Sequence, residues 1–338
     1  MYRLLGGAHN ATASEGYALR LYANINRITR LKEERVPATF ARNAAAAVAA
    51  GHSAVKLGPF DSGQNSPEMA QKQGDGPAHG SAEADTSGGA GGVENWDDYI
   101  GGQINDISTP DAQLGIACVE AVREAVGPDV AVLVDVHSRF TIRGATQLLE
   151  RLQPLKLHWL EDTVRGLDTP GGATEQEKVS FAEWATLCGD DPQVICAGGE
   201  QHPSAQHAWE ALSLPRTYQT MLADVLFLGG IAELKRIADL AALRNVAVSP
   251  HCPWGPVALV ASAHAMAGHS TCTICESAWG EVPWRHTLTV PQEEISPGGM
   301  FALSPDRPGL GVELSEECLA EHGFELELPE LTGSSSSL

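Results

Sequence analysis

Six polar residues stand at or near the ends of apolar runs that otherwise read as buried strands. They are Asp135 in "VLVDVH", Glu161 in "WLED", Glu200 in "AGGE", Asp224 in "LADVL", His251 in "VSPHC" and Glu276 in "ICES". Asp135, Glu161 and Glu200 supply three carboxylates and no thiolate. Such a set repels itself unless a cation neutralises it, and hard oxygen donors favour Mg²⁺, with Mn²⁺ as the alternative. Asp224 and His251 are 27 residues apart, one strand–helix unit. A carboxylate beside an imidazole fixes its tautomer and strengthens it as a base. His137 follows Asp135 by two positions, and side chains two apart on a strand share a face. It is therefore expected beside Asp135. One buried polar residue at a strand end is commonly a helix cap or a loop hydrogen bond. Six on consecutive strands fit a shared site better.

The elements that must position these residues alternate. Strands are expected at 17–25, 53–60, 130–137, 157–162, 194–200, 223–230, 246–252 and 272–278. Helical patterns lie at 37–50, 111–126, 141–153, 204–213, 231–244 and 256–267. In "IAELKRIADLAALRN", Ile231, Leu234, Ile237, Ala238 and Ala241 form one stripe with charges opposite. Strands apolar on both faces, alternating with helices, predict a parallel sheet covered by helices. Eight such strands fit an α/β barrel, whose C-terminal strand ends converge on one rim. Residues 61–95 are rich in Gly, Ser and acids and nearly devoid of apolar side chains, so they are expected to form a disordered insertion. Residues 280–330 should form an irregular C-terminal segment, and 331–338 a disordered tail.

Composition narrows the function. The 338 residues carry 43 acidic and 22 basic side chains, a net charge of −21. Nucleic-acid or anionic-membrane binding needs a basic surface, so both are disfavoured. No apolar run approaches the ~20 residues of a membrane span. Seven scattered cysteines suit reduced thiols in a cytoplasmic protein. The lone CxxC of Cys272 and Cys275 reads as strand packing.

The ordered set Lys56 ("AVKLGPF"), Asp135 ("VDVH"), Glu161 ("WLED"), Glu200 ("AGGE"), Asp224, His251 ("SPHCPWGP") and Glu276 ("CES") resembles the enolase superfamily, mandelate racemase subgroup. It is most similar to the acid-sugar, galactonate-type dehydratases. The resemblance implies a (β/α)7β TIM-like barrel over 17–279, with 1–16 as a remnant of an N-terminal α+β capping domain that is otherwise largely absent. It implies Mg²⁺ on Asp135, Glu161 and Glu200, and enediolate chemistry on a small sugar acid. His251, oriented by Asp224, would be the base, His137 the acid that protonates the departing β-hydroxyl, and Glu276 a donor to the oxyanion. Lys56, Arg139, Trp254 and His202 are expected to contact substrate, in a homo-oligomeric hydro-lyase. Two alternatives stay open. A racemase or epimerase of a 2-hydroxy acid would need a second base, but "KLG" lacks the second lysine of a KxK pattern. A barrel without most of its cap could also be noncatalytic.

Overall fold

The structure, a computed structural model, describes residues 17–26, 28–29, 35–61, 104–164, 175–190, 195–214, 218–267, 269–304 and 306–323. Eight strands form the curled parallel sheet: β1 (Tyr17–Asn24), β2 (Ala54–Leu57), β3 (Ala131–Asp135), β4 (Trp159–Glu161), β5 (Cys196–Gly198), β6 (Thr220–Met221), β7 (Ala247–Val248) and β8 (Cys275–Ala278). Neighbours pair in chain order from β1 to β7, and β8 pairs with β1. Two backbone bonds carry the seam between β7 and β8: Val248 N–H to Thr271 O at 3.1 Å, and Glu276 N–H to Pro250 O at 3.2 Å. The fold is a TIM-like barrel.

Helices α1 (Pro37–Ala49), α2 (Pro110–Val126), α3 (Ile142–Leu152), α4 (Glu175–Asp190), α5 (Ala205–Leu212), α6 (Ile231–Ala242) and α7 (Pro256–Met266) cover the sheet. Their starts follow local chemistry. Thr109, Thr141 and Ser204 accept the N–H groups of Ala112, Gly144 and His207, satisfying donors that a helix start leaves open. Their buried stripes, such as Leu234, Ile237, Ala238 and Ala241 on α6, pack on the outer face of the sheet. A smaller buried cluster of Tyr22, Ala54, Leu133, Trp159, Ala197, Leu222 and Ile274 is separate from it. These residues alternate with the helix-facing ones along their strands, so they fill the barrel interior.

Three expectations need correction. The sixth strand is Thr220–Met221, not 223–230. Asp224 meets His251 through an isolated parallel bridge beyond that strand, and its own carboxylate accepts the next N–H groups and turns the chain. Helix α4 is an addition. Its buried Phe181, Trp184, Ala185 and Cys188 lie at helical spacing in a stretch left unassigned above. The region 280–330 is also more regular than expected. β9 (Thr289–Val290) pairs with β11 (Glu313–Leu314), β10 (Met300–Leu303) pairs antiparallel with β1, and α8 (Glu316–His322) follows. Residues 1–16, 62–95 and 331–338 lie outside the described residues. Asp61, expected to begin the insertion, is buried in the body of the protein. Among the described residues no helix is long and apolar enough to cross a membrane.

Candidate active site

The interior layer dictates the rim. Two residues beyond Tyr22, Ala54, Leu133, Trp159, Leu222 and Ile274 come Asn24, Lys56, Asp135, Glu161, Asp224 and Glu276. A two-residue step keeps a side chain on the same face of a strand, here the barrel axis, and moves it toward the C-terminal mouth. The apolar floor and the polar rim are therefore successive layers of one alternation. All six rim residues are buried.

Lys56 sits at the centre of the charge. Its Nζ lies 2.8 Å from Glu161 Oε1, 3.0 Å from Glu276 Oε1 and 3.8 Å from Asp135 Oδ2. It also lies 5.5 Å from the Tyr22 ring centroid. Burial disfavours the ammonium, but Glu161 and Glu276 outweigh it and hold its pKa well above the ordinary value. Glu161 also accepts the Trp159 indole N–H at 3.1 Å. Burial, then the charge of Asp135, pushes its pKa up to about 8. Glu276 is fixed by Asn24 Nδ2 at 2.6 Å on one oxygen and by the Cys252 N–H at 2.8 Å on the other.

His137 lies beside Asp135, but not by strand alternation. β3 ends at Asp135, and His137 and Ser138 take φ of 46° and 58°, a left-handed turn that costs non-glycine residues of order 1 kcal/mol each. The turn returns the ring to the site, where Nε2 lies 2.9 Å from Asp135 Oδ2. On the other edge, Nδ1 lies 2.7 Å from Asp61 Oδ1. Burial would lower this imidazole's pKa; Asp135 and Asp61 outweigh it and hold it well above the ordinary value.

His251 has the same architecture past the end of β7. Its Nδ1 lies 2.6 Å from Asp224 Oδ2, and its Nε2 lies 3.0 Å from Glu200 Oε2. Burial opposes the charged ring, while Glu200 and Glu276 raise its pKa well above normal. For Glu200 burial acts upward, but the charge and hydrogen bond of His251 outweigh it and leave the carboxyl below its usual range. Asp224 accepts Leu226 N–H at 2.6 Å and Phe227 N–H at 3.2 Å on Oδ1, and Trp254 Nε1 at 2.6 Å on Oδ2. Four donors fix this buried carboxylate.

The residues expected to contact substrate are placed differently from one another. Lys56 is in the cluster. Trp254 gives its indole N–H to Asp224, and its ring lines an apolar recess of about 580 Å³ with Leu226, Gly230 and Val257. His202 is buried with its ring edge-on to Tyr218, 6.2 Å between centroids, and packs against Gly199. Arg139 is buried, and burial lowers its pKa against the opposing charges of Asp61 and Asp111. Sequence reasoning missed Asn24, Asp61 and Arg35. Asn24 had a signal, a polar residue two beyond the interior Tyr22. Asp61 was hidden by the composition of the residues after it.

The three candidate metal ligands occupy consecutive strands, with Asp135 opposite Glu161 in the β3–β4 register and Glu200 just past β5. Among the described residues, no three His, Cys, Asp or Glu side chains converge as one ligand set. Instead Lys56 stands between Asp135 and Glu161, and His251 pairs with Glu200. The donor chemistry nevertheless fits a hard dication. The set is all oxygen, and Asp135, Glu276 and Glu200 all add to the upward push on Glu161, a surplus of negative charge that such an ion relieves.

Fold and rim together define an α/β barrel with a carboxylate, lysine and histidine site at the C-terminal ends of its strands. The family model of the enolase C-terminal domain-like proteins matches residues 39–318, and the chain belongs to that family. Among curated relatives, a D-galactonate dehydratase family member of Streptomyces bingchenggensis is 33% identical over 213 residues, covering 61% of this chain and 46% of its own. The D-galactarolactone cycloisomerase of Agrobacterium fabrum is 29% identical over 213 residues, covering 60% and 52%. The chain thus spans about half the length of these relatives. A solved mandelate racemase/muconate lactonizing enzyme-like protein of Rubrobacter xylanophilus superposes with a TM-score of 0.69 at 27% identity, over 97% of this chain and 72% of that one.

Proposed function

We propose that this protein is a sugar-acid dehydratase, removing the proton α to the substrate carboxylate and then the β-hydroxyl as water, to leave a 2-keto-3-deoxy acid. The observation that carries the reading is the pair of carboxylate-bound imidazoles, His137 after β3 and His251 after β7. These strands are four apart in an eight-stranded ring, so the two rings address the mouth from opposite walls. Elimination needs a base on one side of the substrate and an acid at the leaving group. Relatives named as galactonate and gluconate dehydratases point the same way.

In this reading His251 is the base. Its Nδ1–H is committed to Asp224, so Nε2, which faces Glu200 at 3.0 Å, is the nitrogen that would take the α-proton once Glu200 turns to the ion it would hold, with Asp224 stabilising the resulting imidazolium. His137 delivers the proton to the departing hydroxyl from the nitrogen that faces Asp135. Glu276, when protonated, donates to the oxyanion, and Lys56 sets positive charge beside the substrate carboxylate. Asp135, Glu161 and Glu200 would hold Mg²⁺, which when bound acts as a Lewis acid toward the charge developing on that carboxylate. Trp254 acts through Asp224 rather than on substrate.

The test begins with sugar acids screened for 2-keto-3-deoxy products with and without Mg²⁺. On an active substrate, His251→Asn should abolish both α-proton exchange with solvent deuterium and dehydration. His137→Asn should keep exchange and lose dehydration. Dehydration unchanged in His137→Asn would remove the acid assignment and return the racemase reading.

A further inference from the structure

We infer that Asp61, held by Arg35, is a positioning residue for His137, setting the edge of the imidazole that the proposed acid presents to substrate. The inference rests on the dehydratase reading only for the word acid; the contact itself does not.

Asp61 lies four residues after β2, on a wall of the barrel next to β3, and is 1% exposed. A buried carboxylate is costly unless it is paired and hydrogen-bonded. Asp61 Oδ1 lies 2.7 Å from His137 Nδ1, and its Oδ2 lies 3.4 Å from Arg35 Nη2. Arg35 is itself anchored, to Asn26 Oδ1 at 3.1 Å, Thr29 O at 3.3 Å and the carbonyl of Gly58. Gly58 makes room for this arrangement. A Cβ there would lie 2.9 Å from Asn26 Nδ2 and 3.2 Å from Asp61 Oδ2. The neighbouring Phe60 is 1% exposed and edge-on to Phe140 at 5.1 Å, so the backbone entering Asp61 is pinned on the other side.

This support is needed because of where His137 sits. It follows the last strand residue in a left-handed turn whose backbone is held by Val136 N–H to Glu161 O at 3.0 Å and by its own N–H to Asp135 Oδ1 at 3.0 Å, bonds that fix the chain and not the ring. Asp135 alone would let the ring rotate about its contact with Nε2. A second carboxylate at Nδ1 leaves one orientation, with Nε2 toward Asp135 and the barrel mouth. Asp224 does the same for His251 on the opposite wall. Each imidazole therefore has its Nδ1 fixed by a buried aspartate supplied from a neighbouring strand's loop.

The test compares the wild type, Asp61→Asn and Asp61→Glu. On an active substrate, Asp61→Asn should lower dehydration about 10- to 100-fold while changing α-proton exchange less than about 3-fold, and Asp61→Glu should restore part of the loss. Purely structural damage would lower exchange and dehydration together, and that outcome overturns the inference. Independently of turnover, proton and nitrogen NMR of the histidine-labelled protein should show a downfield Nδ1–H resonance that disappears in His137→Asn and is lost or shifted in Asp61→Asn. An Nδ1–H resonance unchanged in Asp61→Asn overturns the contact itself. If the resonance responds as expected but His137→Asn dehydrates normally, the acid reading fails, and with it the catalytic meaning of Asp61.

Discussion

Gly115 on α2 faces Phe60, the residue before Asp61, and offers a test of how tightly the site is framed. A Cβ at position 115 would lie 2.3 Å from Phe60 Cδ1, 2.4 Å from Cε1 and 3.1 Å from Cγ. The ring cannot easily yield, because it packs edge-on against Phe140, which in turn closes on Gly144. Gly115→Ala should gain about 1 kcal/mol from helix propensity. Overpacking a closed core costs about 1–3 kcal/mol, and the rigid neighbours place this site in the upper part of that range. The net expectation is a destabilisation of about 1–2 kcal/mol, opposite in sign to the usual effect of Gly→Ala in a helix. Phe60→Leu, which removes the ring, should make Gly115→Ala nearly harmless, so the double variant is more stable than the sum of the singles by about 1–2 kcal/mol. Urea unfolding followed by tryptophan fluorescence reads all four proteins. A Gly115→Ala variant as stable as the wild type, or strict additivity in the cycle, would refute the packing argument.

Other expectations follow from the charges. Lys56→Met leaves Glu161 and Glu276 without their nearest cation and should cost about 3–5 kcal/mol in metal-free protein, read by chemical denaturation in chelator; a loss under about 1 kcal/mol would show that the carboxylates find compensation elsewhere. Trp254→Phe removes one donor to Asp224 and keeps the ring, so kcat should fall about tenfold with KM nearly unchanged; a change confined to KM would instead place Trp254 on the substrate. Asp61 is raised by burial, but His137 and Arg35 outweigh this and hold its pKa below the usual value. A carboxylate depressed in the folded state contributes stability that is full above the unfolded pKa of about 3.9 and is lost as pH falls through the folded value. Asp61 also helps hold His137 protonated, so the stability gap between wild type and Asp61→Asn should hold or grow from pH 7 to about pH 5 and shrink below about pH 4, and a gap that still widens below about pH 4 would contradict it.

The sequence by itself determined the class of fold and the chemical character of the rim. Apolar runs separated by amphipathic helices are a one-dimensional signal, and a polar residue two positions past an interior one follows from strand geometry alone. Asp135 and Glu161 were legible as polar residues closing apolar runs, and Asn24 becomes legible from its place two beyond the interior Tyr22. The tertiary structure decided what the alternation does not encode. His137 reaches Asp135 through a left-handed turn, which strand periodicity does not describe. The sixth strand is two residues long, too short to outweigh the apolar "VLFLGG" that follows it as a pattern, so its position emerged only from pairing with β5 and β7. Asp61 stands next to a polar stretch and reads as part of it; only Arg35 and His137, brought to it from 26 and 76 residues away, make it a buried partner. Local composition can report which residues want burial or water, but the pairing of a charge depends on what the fold brings beside it.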